Sequence, residues 1–219
     1  MQKITALLLA ALFIAACSHP KAPTDYDKSD RLPDIYPDYA GVTIPVNMAP
    51  LHFQLTGEWA DEDVITRFTA SGAEEIVCQG RKARPELRQW RQLAEAAKGG
   101  DITVEVFTRN GERWTRLRPF TIAVSPDSID PWLSYRLISP SYVAFEELTI
   151  NQRNLESFEE RIIYSNMLCT TEREGQCVNC HSYQQGNPDR MQMHARLNHG
   201  GTLIMNTTAA SWTPPAAPR

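Results

Sequence analysis

Two cysteines and a histidine within five positions, Cys177-Val-Asn-Cys180-His181, constrain this chain more than any other feature. The spacing is the attachment signature of c-type haem, in which both thiols bond to the haem vinyl groups and the histidine binds the iron. A Cys-x-x-Cys pair also occurs in zinc sites, for which Cys169 and His194 are candidate third and fourth ligands. A redox dithiol would need a helix beginning at the pair, and the preceding residues have loop composition. The motif therefore favours one covalent haem c.

The N-terminus has the organisation of a lipoprotein signal peptide over residues 1–16. A basic start at Lys3 precedes an apolar run over residues 4–16, which is too short to span a bilayer and has the length of a signal-peptide core. The run ends in Leu12-Phe-Ile-Ala-Ala-Cys17, which is similar to the lipobox of bacterial lipoproteins, where the cysteine is acylated and becomes the mature N-terminus. The alternative is plain secretory cleavage near Ala16, with Cys17 an incidental thiol.

The Cys-x-x-Cys-His motif and the lipobox-like segment predict the same cellular compartment. More than one acyl chain on Cys17 gives stable membrane anchoring, and haem is attached to such motifs outside the bacterial cytoplasmic membrane. We therefore expect a lipid-anchored protein of the cell envelope, on the periplasmic side of a membrane or at the cell surface. Removing residues 1–16 removes Lys3 and changes the formal net charge from −4 to −5, and no basic stripe indicates a nucleic-acid partner.

Two further cysteines have no assigned role. An exported protein usually avoids unpaired thiols, so Cys78 and Cys169 form either a disulfide or two buried free thiols, and the sequence does not separate these alternatives.

The sequence predicts an α+β fold in four regions after the signal peptide. Residues 17–50 are rich in proline and predict a tether, and residues 51–139 predict a β-sandwich-like domain with a helical insertion. Residues 140–204 predict a small helical or irregular haem-binding segment, and residues 205–219 a disordered tail.

Several local signals define the β-rich domain. Residues 101–107 alternate as a strand, Asn110-Gly111 is a strong hairpin signal, and residues 114–124 return as one or two strands interrupted at Pro119. The predicted helix has Pro85 at its first position, ends at Gly99-Gly100, and carries one apolar stripe. The stripe comprises Leu87, Trp90, Leu93, Ala94 and Ala97.

A second helix is predicted after the haem motif, where it would present the sixth iron ligand. Asn187 is a good helix cap, Pro188 suits a first turn, and Gly200-Gly201 would end the element. Three residues apart on a helix, Met191 and His194 would share one face. We expect His194 as the sixth ligand and Met191 as the next candidate. The remaining alternatives are Met193, His199 or an open position.

Six segments together carry a family resemblance. They are Pro37-Asp-Tyr-Ala-Gly-Val-Thr-Ile-Pro45, Met48-Ala-Pro-Leu51, Tyr135-Arg-Leu-Ile138, Gln152-Arg-Asn-Leu-Glu-Ser-Phe158, Cys177-Val-Asn-Cys-His-Ser-Tyr183 and Asn187-Pro-Asp-Arg-Met-Gln-Met-His-Ala-Arg196. The chain resembles bacterial lipoproteins of the TolB-like or "cytochrome c biogenesis" group. The group has an Asn-Pro-Asp segment followed by a Met and, three residues later, a His, and the resemblance implies that Met191 and His194 correspond to these two residues. The group continues into a β-propeller after the Gly-Gly-Thr segment, and this sequence has no propeller repeat, so functions of the propeller are not expected here.

The sequence therefore predicts a membrane-anchored monohaem c-type cytochrome, or a haem-bearing accessory lipoprotein, that transfers electrons to an unidentified redox partner and catalyses no turnover by itself. One alternative is a non-redox envelope lipoprotein that binds a partner through its β-rich domain, with the Cys-x-x-Cys and histidine as a zinc or disulfide site. The other is a haem enzyme or sensor with an open sixth position, against which the absence of an obvious distal acid–base pair argues.

Overall fold

The computed structural model describes residues 20–57, 59–138, 148–166, 177–196 and 200–206, with the side chains of 177–179 and 196 left aside. The chain divides into two compact units, Met1–Ile129 and Asp130–Arg219. No helix in the described residues is both long enough and apolar enough to cross a membrane.

The described part of the first unit contains ten strands and one α-helix. They are β1 (Asp27–Lys28), β2 (Ile35–Tyr36), β3 (Thr43–Pro45), β4 (Phe53–Leu55), β5 (Val64–Thr69), β6 (Ile76–Gln79), β7 (Lys82–Ala83), α1 (Leu87–Ala96), β8 (Asp101–Asn110), β9 (Arg113–Arg116) and β10 (Phe120–Ser125).

Strand β8 is the centre of the main sheet. On one edge it pairs with β5, which pairs in turn with β6, all antiparallel. On the other edge it pairs first with β10 and then with β9, and β3 and β1 add to these as parallel outer strands. The predicted hairpin at Asn110-Gly111 is confirmed, with Gly111 at φ 68°, and so is the break between two strands at Pro119. Glycine accepts this positive φ at no steric cost.

The helix and a small sheet of β2, β4 and β7 share one core with the main sheet. The predicted helix is confirmed, although it begins at Leu87 after Glu86, whose carboxylate accepts hydrogen bonds from the N–H groups of Arg88 and Gln89. Trp90 and Leu93 are fully buried, and the indole Nε1 of Trp90 donates to the Met48 carbonyl at 3.0 Å. Burying each such apolar side chain stabilises the fold by about 1.5–3 kcal/mol.

The proline-rich segment differs from its prediction as a tether. Strands β1, β2 and β3 all lie within residues 20–50, and each pairs with a strand of the β-rich domain. Ile35 and Ile44 are buried in the shared core. Prolines are tolerated at strand ends and sheet edges, so a segment with many prolines can still contribute short outer strands.

The second unit contains two three-stranded antiparallel sheets in its described residues. One has the order β11 (Trp132–Leu137), β12 (Thr149–Asn154), β13 (Glu160–Ser165), and the other the order β14 (Cys177–Tyr183), β15 (Arg190–Arg196), β16 (Gly201–Asn206). Ile150 and Tyr164 of the first sheet pack with Met191, Met193 and Ala195 of the second in one core. A sheet pair that shares a core in this way is a small sandwich.

The predicted α+β fold with a helical haem-binding segment is wrong. The described chain is mostly β, and residues 190–196, predicted as helix, form the central strand of a sheet. Asn187 begins a turn: its side-chain Oδ1 accepts from the Asp189 N–H at 2.9 Å, and its carbonyl accepts from the Arg190 N–H at 3.2 Å. An Asn-Pro-Asp sequence starts a β-turn as readily as a helix, and here the turn leads into a strand.

Candidate functional site

The Cys177–His181 motif, predicted to attach haem, lies on β14, at the edge of its sheet beside β15. Alternation along β15 separates two faces, since Met191, Met193 and Ala195 are buried while Gln192 is exposed and His194 is half-buried. Strand pairing adds Tyr183, opposite Met191, to the core face. On the other face His194 lies opposite Asn179 and Thr202.

A β-bulge interrupts this pairing within the motif. Asn179 pairs with His194 and Ser182 pairs with Gln192, so Cys180 and His181 together oppose the single residue Met193. Cys180 adopts a left-handed conformation with φ 54°, which side chains other than glycine rarely occupy. This conformation costs an L-residue roughly 1–2 kcal/mol. Such strain concentrates at functional positions, and here it falls on one of the two cysteines predicted to attach haem, whose side chain is exposed.

His181 is held beside the core by an aromatic neighbour. Its ring meets the ring of Tyr183 edge to face, with centroids 6.4 Å apart and planes at 79°. Tyr183 is fixed in turn by a 2.7 Å hydrogen bond between its hydroxyl and the Ser134 Oγ of β11. The Nδ1 atom of His181 is buried and has no hydrogen-bond partner among the described residues. Burying an unsatisfied polar atom costs about 1–3 kcal/mol, so a group that bonded to this nitrogen would stabilise the arrangement.

The two predicted sixth ligands do not share a face. Met191 is 2% exposed in the core, whereas His194 points to the opposite face, where its Nδ1 lies 3.3 Å from the Thr202 Oγ1. The prediction that both lie on one face of a helix is therefore wrong, because residues 190–196 form a strand. Contact with Tyr183 puts the His181 ring on the core side, so the structure does not bring His181 and His194 together.

The other predicted site residues divide between described and undescribed parts of the chain. Cys17, Cys169 and His199 lie outside the described residues, as does the side chain of Cys177. Cys78 is half-buried in β6. Burial raises the pKa of its thiol, although a hydrogen bond between the thiol and the Arg84 backbone opposes the shift. Within the described ranges, no three His, Cys, Asp or Glu side chains gather as a metal site.

Covalent haem fits the described atoms of the motif in two respects. Cys180 presents an exposed thiol, and the adjoining His181 has a buried nitrogen that lacks a partner within the described chain. Sequence reasoning missed Tyr183 and Ser134 as supports of this histidine. Tyr183 follows His181 by two residues, a spacing that places both side chains on the same side of a strand. This spacing indicates a contact only if the segment is a strand, which the sequence did not predict.

Comparison with known proteins gives no relative for this chain: no family model matches it, and neither does any curated protein. The resemblance to TolB-like lipoproteins therefore stays a prediction from sequence motifs, and the geometry of the motif carries the functional argument.

Proposed function

We propose that this protein is a membrane-anchored monohaem c-type cytochrome, or haem-bearing accessory lipoprotein, that transfers electrons in the cell envelope. Cys177 and Cys180 hold the haem through thioether bonds, His181 ligates the iron, and acylated Cys17 tethers the chain to the membrane. The protein carries electrons and turns over no substrate by itself.

The observation that carries the proposal is the pairing of a strained, exposed Cys180 with a half-buried His181 whose Nδ1 lacks a partner among the described residues. Structural histidines that are buried usually satisfy both ring nitrogens, or leave one in water. An iron ligand needs one ring nitrogen for the metal and a partner for the other, which fixes the tautomer. The His181 ring packs against Tyr183 and has a ring nitrogen that no described group occupies, so a further bond to this ring would break no hydrogen bond.

The haem supplies a one-electron redox couple when bound, and the protein sets its potential through the axial ligand and its surroundings. His194 is the more accessible of the two predicted sixth ligands, because Met191 would have to leave the core shared by the two sheets. His181 and His194 face opposite sides of their sheet, so a bis-histidine site would require the β14 edge to rearrange.

The test is haem attachment in the full-length chain, expressed together with a c-type maturation system. We expect a Soret band and haem staining on a denaturing gel, and both should disappear when Cys177 and Cys180 are both changed to alanine. The matched control is Cys78→Ala, which removes a thiol of the first unit and should leave staining unchanged.

Three results would count against the proposal. An unstained wild type would do so, as would a double variant that still stains. The third is stoichiometric zinc in the purified wild type that is lost in the double variant, which would favour the alternative of a partner-binding lipoprotein with a zinc site.

A further inference from the structure

Two adjoining hollows in the first unit share Trp59 as a wall, and together we term them the Trp59 groove. One hollow, of about 460 Å³, is lined by Trp59, Asp61, Glu62, Gln79, Arg81 and Lys82. The other, of about 450 Å³, includes Arg31, Leu32, Asp34, Leu55, Thr56 and Trp59. Sites for small ligands typically have volumes of about 300–1,000 Å³, so each hollow is large enough for part of an extended ligand.

Trp59 lines both hollows. Its indole packs partly against the core of the first unit. Two described neighbours of Trp59 in the chain bond to Arg81: its guanidinium donates to the Gly57 carbonyl at 3.1 Å and its N–H donates to the Asp61 carboxylate at 3.0 Å. Gly57 has φ 91°, and a Cβ there would lie 3.5 Å from the Trp59 Nε1. A side chain that already packs against the core loses less entropy when a ligand stacks on it.

Charged side chains along the groove remain available for a ligand. Within the described chain, the side chains of Arg31, Asp34, Glu62 and Lys82 take part in no hydrogen bond or ion pair. Acidic and basic side chains are equal in number in the lining of each hollow: Arg31 and Asp34 in one, and Asp61, Glu62, Arg81 and Lys82 in the other. A polyanion or a polycation would meet as much repulsion as attraction there, so the charge pattern favours a neutral, polar ligand.

From these features we propose that the Trp59 groove binds a neutral oligosaccharide. The indole face of Trp59 suits the apolar face of a sugar ring, which buries C–H groups against the aromatic surface. Carboxylates accept from sugar hydroxyls, while guanidinium and ammonium groups donate to them, and these charge-assisted bonds are the stronger kind. The site is independent of the haem proposal, because every residue that forms it belongs to the first unit.

The experiment is calorimetric titration of the full chain in detergent with three soluble neutral tetrasaccharides: β-1,4-linked N-acetylglucosamine, cellotetraose and maltotetraose. We expect at least one to bind, and Trp59→Ala to weaken its binding about tenfold or more. Trp114→Ala is the matched control, since Trp114 stacks on Arg109 and lines neither hollow, and it should leave affinity unchanged.

Two further variants guard against a folding artefact. Trp59→Phe keeps an aromatic face and should retain most of the affinity, and Lys82→Ala, at an exposed position, should weaken binding severalfold while thermal unfolding stays unchanged. Binding of none of the three sugars at millimolar concentration overturns the proposal. So does an equal loss of affinity in Trp59→Ala and Trp114→Ala, or binding that is unaffected by both Trp59→Ala and Lys82→Ala.

Discussion

Ser134 Oγ and Tyr183 Oη lie 2.7 Å apart and hydrogen-bond across the two sheets of the second unit. Ser134 belongs to β11 and Tyr183 to β14, so the bond connects the strand that carries the haem motif to the opposite sheet. The same tyrosine packs against His181. The position of this histidine therefore depends on a contact made on another sheet.

A double-mutant cycle measures that connection. Tyr183→Phe and Ser134→Ala should each lower the free energy of unfolding by about 0.5–1.5 kcal/mol, because each removes one partner of a neutral hydrogen bond. The double variant should cost less than the sum of the two single variants, with a coupling of at least about 0.5 kcal/mol. Urea unfolding of the protein without haem gives these values, and strictly additive losses would show that the hydroxyls do not interact.

The left-handed Cys180 predicts an unusual ranking of substitutions. Glycine normally destabilises a strand by about 0.5–1 kcal/mol relative to alanine, but it accepts a positive φ without steric cost. Cys180→Gly should therefore be more stable than Cys180→Ala by about 1 kcal/mol, and both variants remove the same thiol. Chemical denaturation of the two haem-free variants makes the comparison. A matched pair at Ser182, to glycine and to alanine, should show the usual order, and the same order at both positions would refute the strained backbone.

Local patterns predicted the first unit best where one periodicity was strong. Trp90, Leu93 and Ala97 recur at helical spacing between a good start and a double glycine, and the helix forms there. Asn110-Gly111 strongly predicted a hairpin, because both residue types accept the positive φ angles of a two-residue hairpin turn. The short strands within residues 20–50 were not predictable, because strands of two or three residues carry no measurable period and are stabilised by their partners in the sheet.

The sequence indicated which residues belong to the candidate site but not how their side chains are arranged. The predicted helix rested on the helix-start signals at Asn187-Pro188. The sequence also alternates Met191, Met193 and Ala195 with polar neighbours, and this period of two correctly indicates the strand that forms. The bulge at Cys180 was not readable at all, because it arises from register between β14 and β15.

The opposed faces of β15 give a direct stability test. Met193 is fully buried, so Met193→Ala should cost about 2–5 kcal/mol, the range for removing a large core side chain. Gln192→Ala, one residue away and exposed, should change the free energy of unfolding by no more than about 0.5 kcal/mol. Thermal or urea unfolding measures both, and similar costs at the two positions would contradict a strand with one buried face.

Membrane anchoring is tested at Cys17, which lies outside the described residues. Wild type expressed in bacteria should incorporate labelled fatty acid and sediment with membranes, whereas Cys17→Ala should incorporate none and either stay unprocessed or appear in the soluble fraction. Cys78→Ala is the control and should be labelled like the wild type. A wild type that takes up no label would exclude the lipoprotein assignment and favour plain secretory cleavage.

His52 predicts a pH dependence of stability. Burial, assisted by the positive charge of Arg84, holds the pKa of His52 below its usual value of 6.5, although a backbone hydrogen bond at Pro85 opposes the shift. The unfolded chain therefore takes up a proton first as the pH falls, so this stabilising contribution is complete above about pH 6.5 and is lost as the pH falls toward the lower folded-state pKa. Urea unfolding between about pH 7.5 and pH 5 should show a shallower decline for His52→Gln than for wild type. Identical slopes for wild type and His52→Gln would contradict the shift.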